Sequence, residues 1–539
     1  MRARASRDVV LVGYQDQGNL GMGYLASALH AHGRTAEMID IRDGPEAIAA
    51  RLASNPPLVV GFSLIFQCFL EQYRKVATHL REAGIASHFT MGGHFPSLCH
   101  DEALRSLPEI DSVVRYEGEQ TLVDLVEHLA AGEDWRNIPG IAYLREKEVV
   151  LTEPRALVPD LDSLPFPYRP CPPEKIGGFP TLPLLASRGC IRRCSFCSIH
   201  TFYRNAPGKV VRVRRPKNVV EEMSQLHRDF GVRVFLFQDD DFPLWGNPGS
   251  LRWADELAQR LHESGLARNT VWKISCRAEY VDPELFSKLR DAGLFLVYMG
   301  IESGVDQGLK ILNKEMTTEQ NLAAVETLKR IGLLFSYGFM LFDPSSTFAS
   351  VRENLGFLRQ IVGDGSAAAT FCRMLPYGGT PIRDLLAREG RLRGDLTHPD
   401  YDFLDVRLNE YYHLLHQSIR PWMHNYGLSN ELNYAWDELA AVRRLVPRVT
   451  GIEAYASDLR AITREANDRL FCLVEESLEA FQRGRRIPLD AQAVTTYCDR
   501  IQAHLVHRRN TFVADNIYEL METVAPESAQ APVMAPQVH

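Results

Sequence analysis

The chain has 539 residues, 45% hydrophobic and 24% charged, with a formal net charge of -8, which is the balance of a soluble globular protein of about three to four domains. An acidic chain has no broad basic excess to neutralise phosphates, so general nucleic-acid affinity is excluded, and the local run at Arg212 to Arg215 reads as a solvated face or strand edge. No apolar run reaches the ~20 residues of a membrane span, and the start MRARASRDVVLVGY lacks a secretory core and cleavage site, which points to the cytoplasm.

Residues 8–13 form a short apolar run ending in glycine, and the polar loop 14–20 opens a helix over 21–32. Further strands are expected at 35–41, 58–63, 87–94 and 110–119, with helices at 45–53 and 71–83 and another before the last strand. Strands alternating with helices predict a doubly wound parallel sheet whose ligand site lies at the carboxyl ends of the strands. Residues 151–180 hold eight prolines, too many for a helix or central strand, and read as an ordered linker.

An apolar strand over 182–187 then leads into Cys190-Ile-Arg-Arg-Cys194-Ser-Phe-Cys197. Three thiolates spaced C-x3-C-x2-C can hold three irons of a [4Fe-4S] cube and leave the fourth open to a chelating ligand. Zinc is the rival metal, with His200 as the nearest fourth ligand. The other seven of ten cysteines are scattered and read as small hydrophobes in a reducing compartment. Further strands are expected at 232–238, 271–276, 294–301, 335–342 and 367–375, giving six β/α units. Beyond about residue 390 the pattern becomes amphipathic and helical, at 431–445, 454–481 and 490–507. Tyr411, Tyr412, His413 and His416 there serve either helical core or a cap on the barrel mouth. The tail from 526 has a disordered composition.

The cysteine loop, with aromatic Phe196 before its third thiol, resembles the radical SAM superfamily. Gly61-Phe-Ser63, Gly92-Gly93-His94, Tyr116-Glu-Gly-Glu119 and the run from Leu20 to Ser27 are similar to the cobalamin-binding domain that often precedes its barrel. The resemblance implies an α/β chain: a Rossmann-like cobalamin-binding domain at 1–145, a linker at 146–180 and a partial (β/α)6 radical SAM barrel at 181–392. A helical domain at 393–525 and a disordered tail at 526–539 complete it. It further implies that Cys190, Cys194 and Cys197 hold the cluster that cleaves S-adenosylmethionine (SAM), with Phe196, Asp239, Asp240, Arg277, Glu302 and Phe339 around SAM. Asp239 to Asp241 read alternatively as a helix-capping cluster. Gln15, Ser63, Gly92, Gly93, His94, Glu117 and Gly118 are the cobalamin candidates. The D-x-H-x-x-G motif that supplies cobalt's lower ligand is absent, so a sheet that binds no corrin is the rival, and His94 is either a ligand or a loop hydrogen-bonder. The implied reaction is methyl transfer from methylcobalamin to an unactivated carbon of a small, secondary-metabolite substrate after hydrogen abstraction by an adenosyl radical. A flavodoxin- or ferredoxin-type electron donor is the implied partner. The alternatives are rearrangement, cyclisation or methylthiolation, or a non-catalytic iron-sulfur or zinc regulator.

Overall fold

The computed structural model describes residues 7–15, 18–424, 426–485 and 489–524; the expected tail at 526–539 lies outside them. Two seven-stranded sheets carry the fold. In the first, Ala36–Asp40, Val9–Gly13, Val59–Ser63, His88–Gly92 and Ser112–Val114 lie side by side, all parallel. This 2-1-3-4-5 order is doubly wound, and its central strands must be apolar on both faces. Val9–Gly13 is buried at every position. Helices Leu20–Ala31 and Glu119–Ala131 cover one face, and Pro45–Ala53 and Leu70–Glu82 the other. The hairpin Ile141–Arg145 and Glu148–Leu151 extends the sheet antiparallel, past the expected boundary at 145.

The proline-rich stretch is laid on the first helix. Tyr168 N–H donates to Gly23 O at 3.0 Å, and Ser27 Oγ donates to Phe166 O at 2.7 Å. A Cβ on Gly23 would sit 2.8 Å from Tyr168 O, so only glycine lets the two backbones approach this closely. The end of the stretch is not linker: Glu174–Ile176 pairs antiparallel with Phe179–Leu184 and joins the second sheet, which corrects the expected 146–180 span.

The second sheet runs in the order Cys372–Arg373, Leu334–Phe342, Leu294–Glu302, Val271–Cys276, Val234–Phe237, Phe179–Leu184, Glu174–Ile176. Six of these strands are parallel, as the barrel reading expects. The sixth is only two residues long rather than 367–375, because helix side chains take the backbone groups before it. Asn433 Oδ1 accepts from Ala368 N–H, Asn467 Oδ1 accepts from Ala369 N–H, and Ser429 Oγ donates to Ala369 O.

Four long helices, Arg407–Met423, Leu428–Leu445, Ile452–Gln482 and Ala491–Asp515, and the short Ile517–Val524 build the C-terminal layer. The first falls where Tyr411, Tyr412, His413 and His416 read as helical core or cap, and it carries Pro421 inside its last turn. Leu428–Leu445 packs on three barrel strands, Val271–Cys276, Leu294–Glu302 and Leu334–Phe342. Among the described residues no helix is long and apolar enough to cross a membrane.

Candidate functional site

The cysteine loop leaves the first parallel barrel strand through Ser187–Arg188, which pairs with Arg212–Val213. Gly189, at φ +87°, makes the turn, and a Cβ there would lie 2.1 Å from Val210 O. The three thiols then gather on one side of the barrel mouth. Cys190 Sγ accepts from Arg192 N–H at 3.4 Å and lies 3.9 Å from Asp241 Oδ2, while Arg277 Nη1 is 3.9 Å from Cys194 Sγ. Burial, Asp241 and the neighbouring thiols push Cys190 up to about 12, and burial pushes Cys197 up to about 11. Among the described residues no three His, Cys, Asp or Glu side chains converge on one ion-sized point. His200, the fourth ligand that the rival zinc reading offers, has both ring nitrogens buried without a partner among the described residues.

The three acids after Phe237 have separate tasks. Both Asp239 oxygens accept from Ala186 N–H, at 3.1 Å, and one also accepts from Ser187 Oγ. Asp240 Oδ2 accepts from Gly189 N–H at 2.9 Å. These two expected SAM residues instead brace the strand exit that carries the thiols. Asp241, which the sequence offers only as one of the run, has Oδ1 buried with no partner beside Cys190. Burial raises it to about 7 against the lowering pull of Arg277, Trp245 and Lys314. Among the described residues that oxygen is the one of the run that is buried with no donor.

Arg277 is not a free fork. Its Nε donates to Glu279 Oε1 at 2.9 Å and its Nη2 to Lys314 O. Glu302 sits at φ +64° on a register shift at the fourth parallel strand's end, paired with Lys314 Nζ at 3.0 Å. Lys314 is buried, lies 6.0 Å from the Phe196 ring centroid and has Cys194 among its nearest charged neighbours. No motif marks it in the sequence. Phe339 turns outward and stacks on Phe357 at 6.1 Å, so only its backbone faces the SAM side.

A cavity of about 540 Å³ lies between the two sheets. Ser63, Gly92, Gly93, His94, Glu117 and Gly118 line it from the first, and Pro183, Leu185, Gln238 and Asp240 from the barrel. Gln15 does not line it; its Nε2 turns to Met22 Sδ at 3.8 Å. The glycines answer to protein neighbours: a Cβ on Gly93 would meet Leu64 O at 2.3 Å, and one on Gly118 would meet Val114 Cγ1 at 3.1 Å. His94 forms no hydrogen bond among the described residues. It packs edge-on against Phe202 at 4.5 Å, and burial lowers it to about 4, which keeps the ring neutral. Walls that are largely apolar, with a few polar groups at the rim, fit a large planar cofactor.

Glu117 binds the two units together instead of pointing freely into the cavity. It accepts from Arg188 Nη1 at 3.0 Å, Arg212 Nη1 at 2.8 Å and Val158 N–H at 2.7 Å, while Glu119 accepts from Arg188 Nη2 at 2.7 Å. Arg212 and Arg214 are therefore buried in ion pairs, Arg214 with Glu222, and not the solvated edge the basic run suggested. Of that run's arginines only Arg215 is exposed, and it pairs with the covered carboxylate of Asp162.

The Radical SAM superfamily model matches residues 184–358, and the B12 binding domain model matches residues 6–126. An uncharacterized methyltransferase of Pyrococcus horikoshii is 30% identical over 374 residues, covering 67% of this chain and 77% of that one. An anaerobic magnesium-protoporphyrin IX monomethyl ester cyclase of Cereibacter sphaeroides is 29% identical, over 62% of this chain and 55% of the cyclase, so the chain spans little over half of that relative. Among solved structures, the cobalamin-dependent S-adenosylmethionine radical enzyme OxsB, with aqua-cobalamin and S-adenosylmethionine bound, shares the fold at a TM-score of 0.65 and 19% identity. The match covers 96% of this chain and 83% of OxsB. The radical S-adenosylmethionine methyltransferase TsrM of Kitasatospora setae, with cobalamin and a [4Fe-4S] cluster bound, matches at 0.60 and 20% identity over 71% of this chain and 75% of TsrM.

Proposed function

The chain belongs to the radical SAM superfamily, in the branch that carries a B12-binding domain ahead of the barrel, and from that premise we propose that it is a C-methyltransferase acting on an unactivated carbon of a small molecule. It is a cobalamin-dependent radical SAM enzyme. When bound, the [4Fe-4S] cluster supplies the electron that cleaves SAM and cobalamin carries the methyl group. Cys190, Cys194 and Cys197 hold three irons, and Asp241 Oδ1 accepts from the SAM ammonium. Glu302, fixed by Lys314, faces the nucleoside. The observation that carries the reading is the shared cavity, whose walls come from both units and include Ser187, Arg188 and Asp240, the last of which accepts from Gly189 N–H at the start of the cluster loop. One walled space favours short transfer distances and keeps water from a reactive intermediate. His94, edge-packed and neutral, is the one imidazole on the cavity wall among the described residues, and no acid positions it as a ligand.

Free thiols throughout suit a reducing cytoplasm, where a flavodoxin- or ferredoxin-type donor delivers the electron. The test is anaerobic reconstitution with hydroxocobalamin and SAM labelled with deuterium in the methyl group, with candidate substrates screened by mass spectrometry. The expected result is 5′-deoxyadenosine together with a labelled methyl group on the product. SAM cleavage that survives in Cys194→Ala overturns the cluster assignment. Product formed with no label replaces methyl transfer by cyclisation or rearrangement.

A further inference from the structure

One polar group inside the barrel takes no part in holding the cluster, SAM or corrin. Lys273 is the third residue of Val271–Cys276 and stands in register with Leu236 and Leu296 on the flanking strands. Trp272 and Ile274 on either side turn outward and are fully buried. Lys273 therefore points inward. Its Nζ donates to Ser275 Oγ at 3.2 Å and lies 5.6 Å from the Tyr298 ring centroid. Tyr298 keeps 39% of its surface exposed in the middle of a strand that helices cover from outside, so the lumen at this level is a chamber and not packed core. Leu236 also pairs with Pro183, which lines the large cavity, so chamber and cavity adjoin.

Asp437 lies in the middle of the helix Leu428–Leu445, which packs on the strand that carries Lys273. Lys273 is the one charged group that acts on it. The two are too far apart for an ion pair, and each has hydrogen-bonding capacity to spare. Among the described residues Lys273 gives only one of its three protons, and the Asp437 carboxylate accepts none. Burial raises Asp437 to about 7 and lowers Lys273, with Asp437 and Asp239 partly offsetting the second effect. An enclosed charge without a partner is costly. A lone anion entering here would satisfy Lys273 and face Asp437, and a lone cation would do the reverse. A group that carries both charges on adjacent atoms satisfies both.

We propose that Lys273 and Asp437 recognise the polar head of the substrate and that this head is an α-amino acid, its carboxylate on Lys273 and its ammonium on Asp437, with the Tyr298 ring against its carbon frame. The assignment rests on the lumen being the substrate chamber of the proposed methyltransferase. It places the head at the chamber floor and the rest of the molecule towards the SAM side.

The test is saturation-transfer NMR on the protein reconstituted with its cluster and hydroxocobalamin, using three probes of one carbon count: L-2-aminobutyrate, butyrate and butylamine. The amino acid is expected to bind about tenfold or more tightly than either singly charged probe, as one added charge-assisted hydrogen bond implies. Lys273→Met and the isosteric Asp437→Asn are each expected to remove that preference while the corrin spectrum stays unchanged. Butyrate or butylamine binding as tightly as the amino acid overturns the proposal, and so does an unchanged preference in Asp437→Asn. If the preference holds while methyl transfer fails, the methylation reading falls alone. If methyl transfer holds and the preference is absent, the head-group assignment falls alone.

Discussion

Glu117→Gln tests how the two units are joined. The carboxylate accepts two guanidinium hydrogen bonds and one backbone N–H, and all three ion-pair members are buried. Burial alone raises its pKa, but Arg188 and Arg212 overcome that and hold it below the usual carboxylate range. Removing one partner of a buried pair leaves the others uncompensated, at about 3–5 kcal/mol. Arg188 retains Glu119, so the lower end, about 3 kcal/mol, is expected. For a unit of 150–250 residues that is a fall in Tm of roughly 6–12 °C. Thermal unfolding followed by circular dichroism, under anaerobic conditions at pH 7, reads it. Because the folded pKa lies below the unfolded one, the contribution is fully present above the unfolded value of about 4.3 and disappears as pH falls through the folded value. The glutamine variant should therefore lose less stability than the wild type between pH 5 and the acid limb. A double-mutant cycle with Arg212→Met should show coupling of about 0.5–3 kcal/mol. A fall under about 1 kcal/mol at pH 7, or strict additivity in the cycle, refutes the joint.

Lys314→Met removes a buried cation near Cys194, so the cluster should become harder to reduce. A tenfold lower reduced fraction at fixed poise, about 59 mV for one electron, is expected in an EPR-monitored titration, and an unshifted midpoint counts against the role. Asp241→Ala should weaken SAM binding about 10- to 150-fold, the value of one charged hydrogen bond of 1.5–3 kcal/mol, measured by equilibrium dialysis. An equal loss in Asp240→Asn with none at Asp241 reverses the assignment. Gly23→Ala drives a methyl into Tyr168 O and should cost about 1–3 kcal/mol as overpacking does, with earlier proteolytic cleavage near residue 168 as the readout.

Local signals carried the order of elements well, because each rests on its own stretch of chain. The apolar run at 9–13, the glycine-ended strands and the thiol spacing all lie where the sequence points. Contacts between distant segments were not legible. Asp239, Asp240 and Asp241 are adjacent in sequence, yet only the fold shows that two of them are occupied by backbone donors from residues 186–189. Glu117 and Arg212 are 95 residues apart, and neither carries a mark of its partner. Of the glycines that resemble a corrin cradle, Gly61, Gly93 and Gly118 are each explained by a protein atom within about 3 Å of a Cβ placed there, whereas Gly92 has its nearest neighbour at 3.4 Å. Lys314 and Asp437 stand in segments without a motif, and their neighbours alone give them significance.

The second sheet does not close on itself, so it has two free borders, and an open row of backbone donors and acceptors invites other chains to add to it. Here one border is the three-residue Glu174–Ile176 and the other the two-residue Cys372–Arg373. Neither offers enough length for a foreign strand to hold, and the first runs antiparallel to its neighbour, which breaks the parallel pattern an added copy would need. An unclosed barrel can thus keep its mouth open for large ligands and still resist stacking with its own copies.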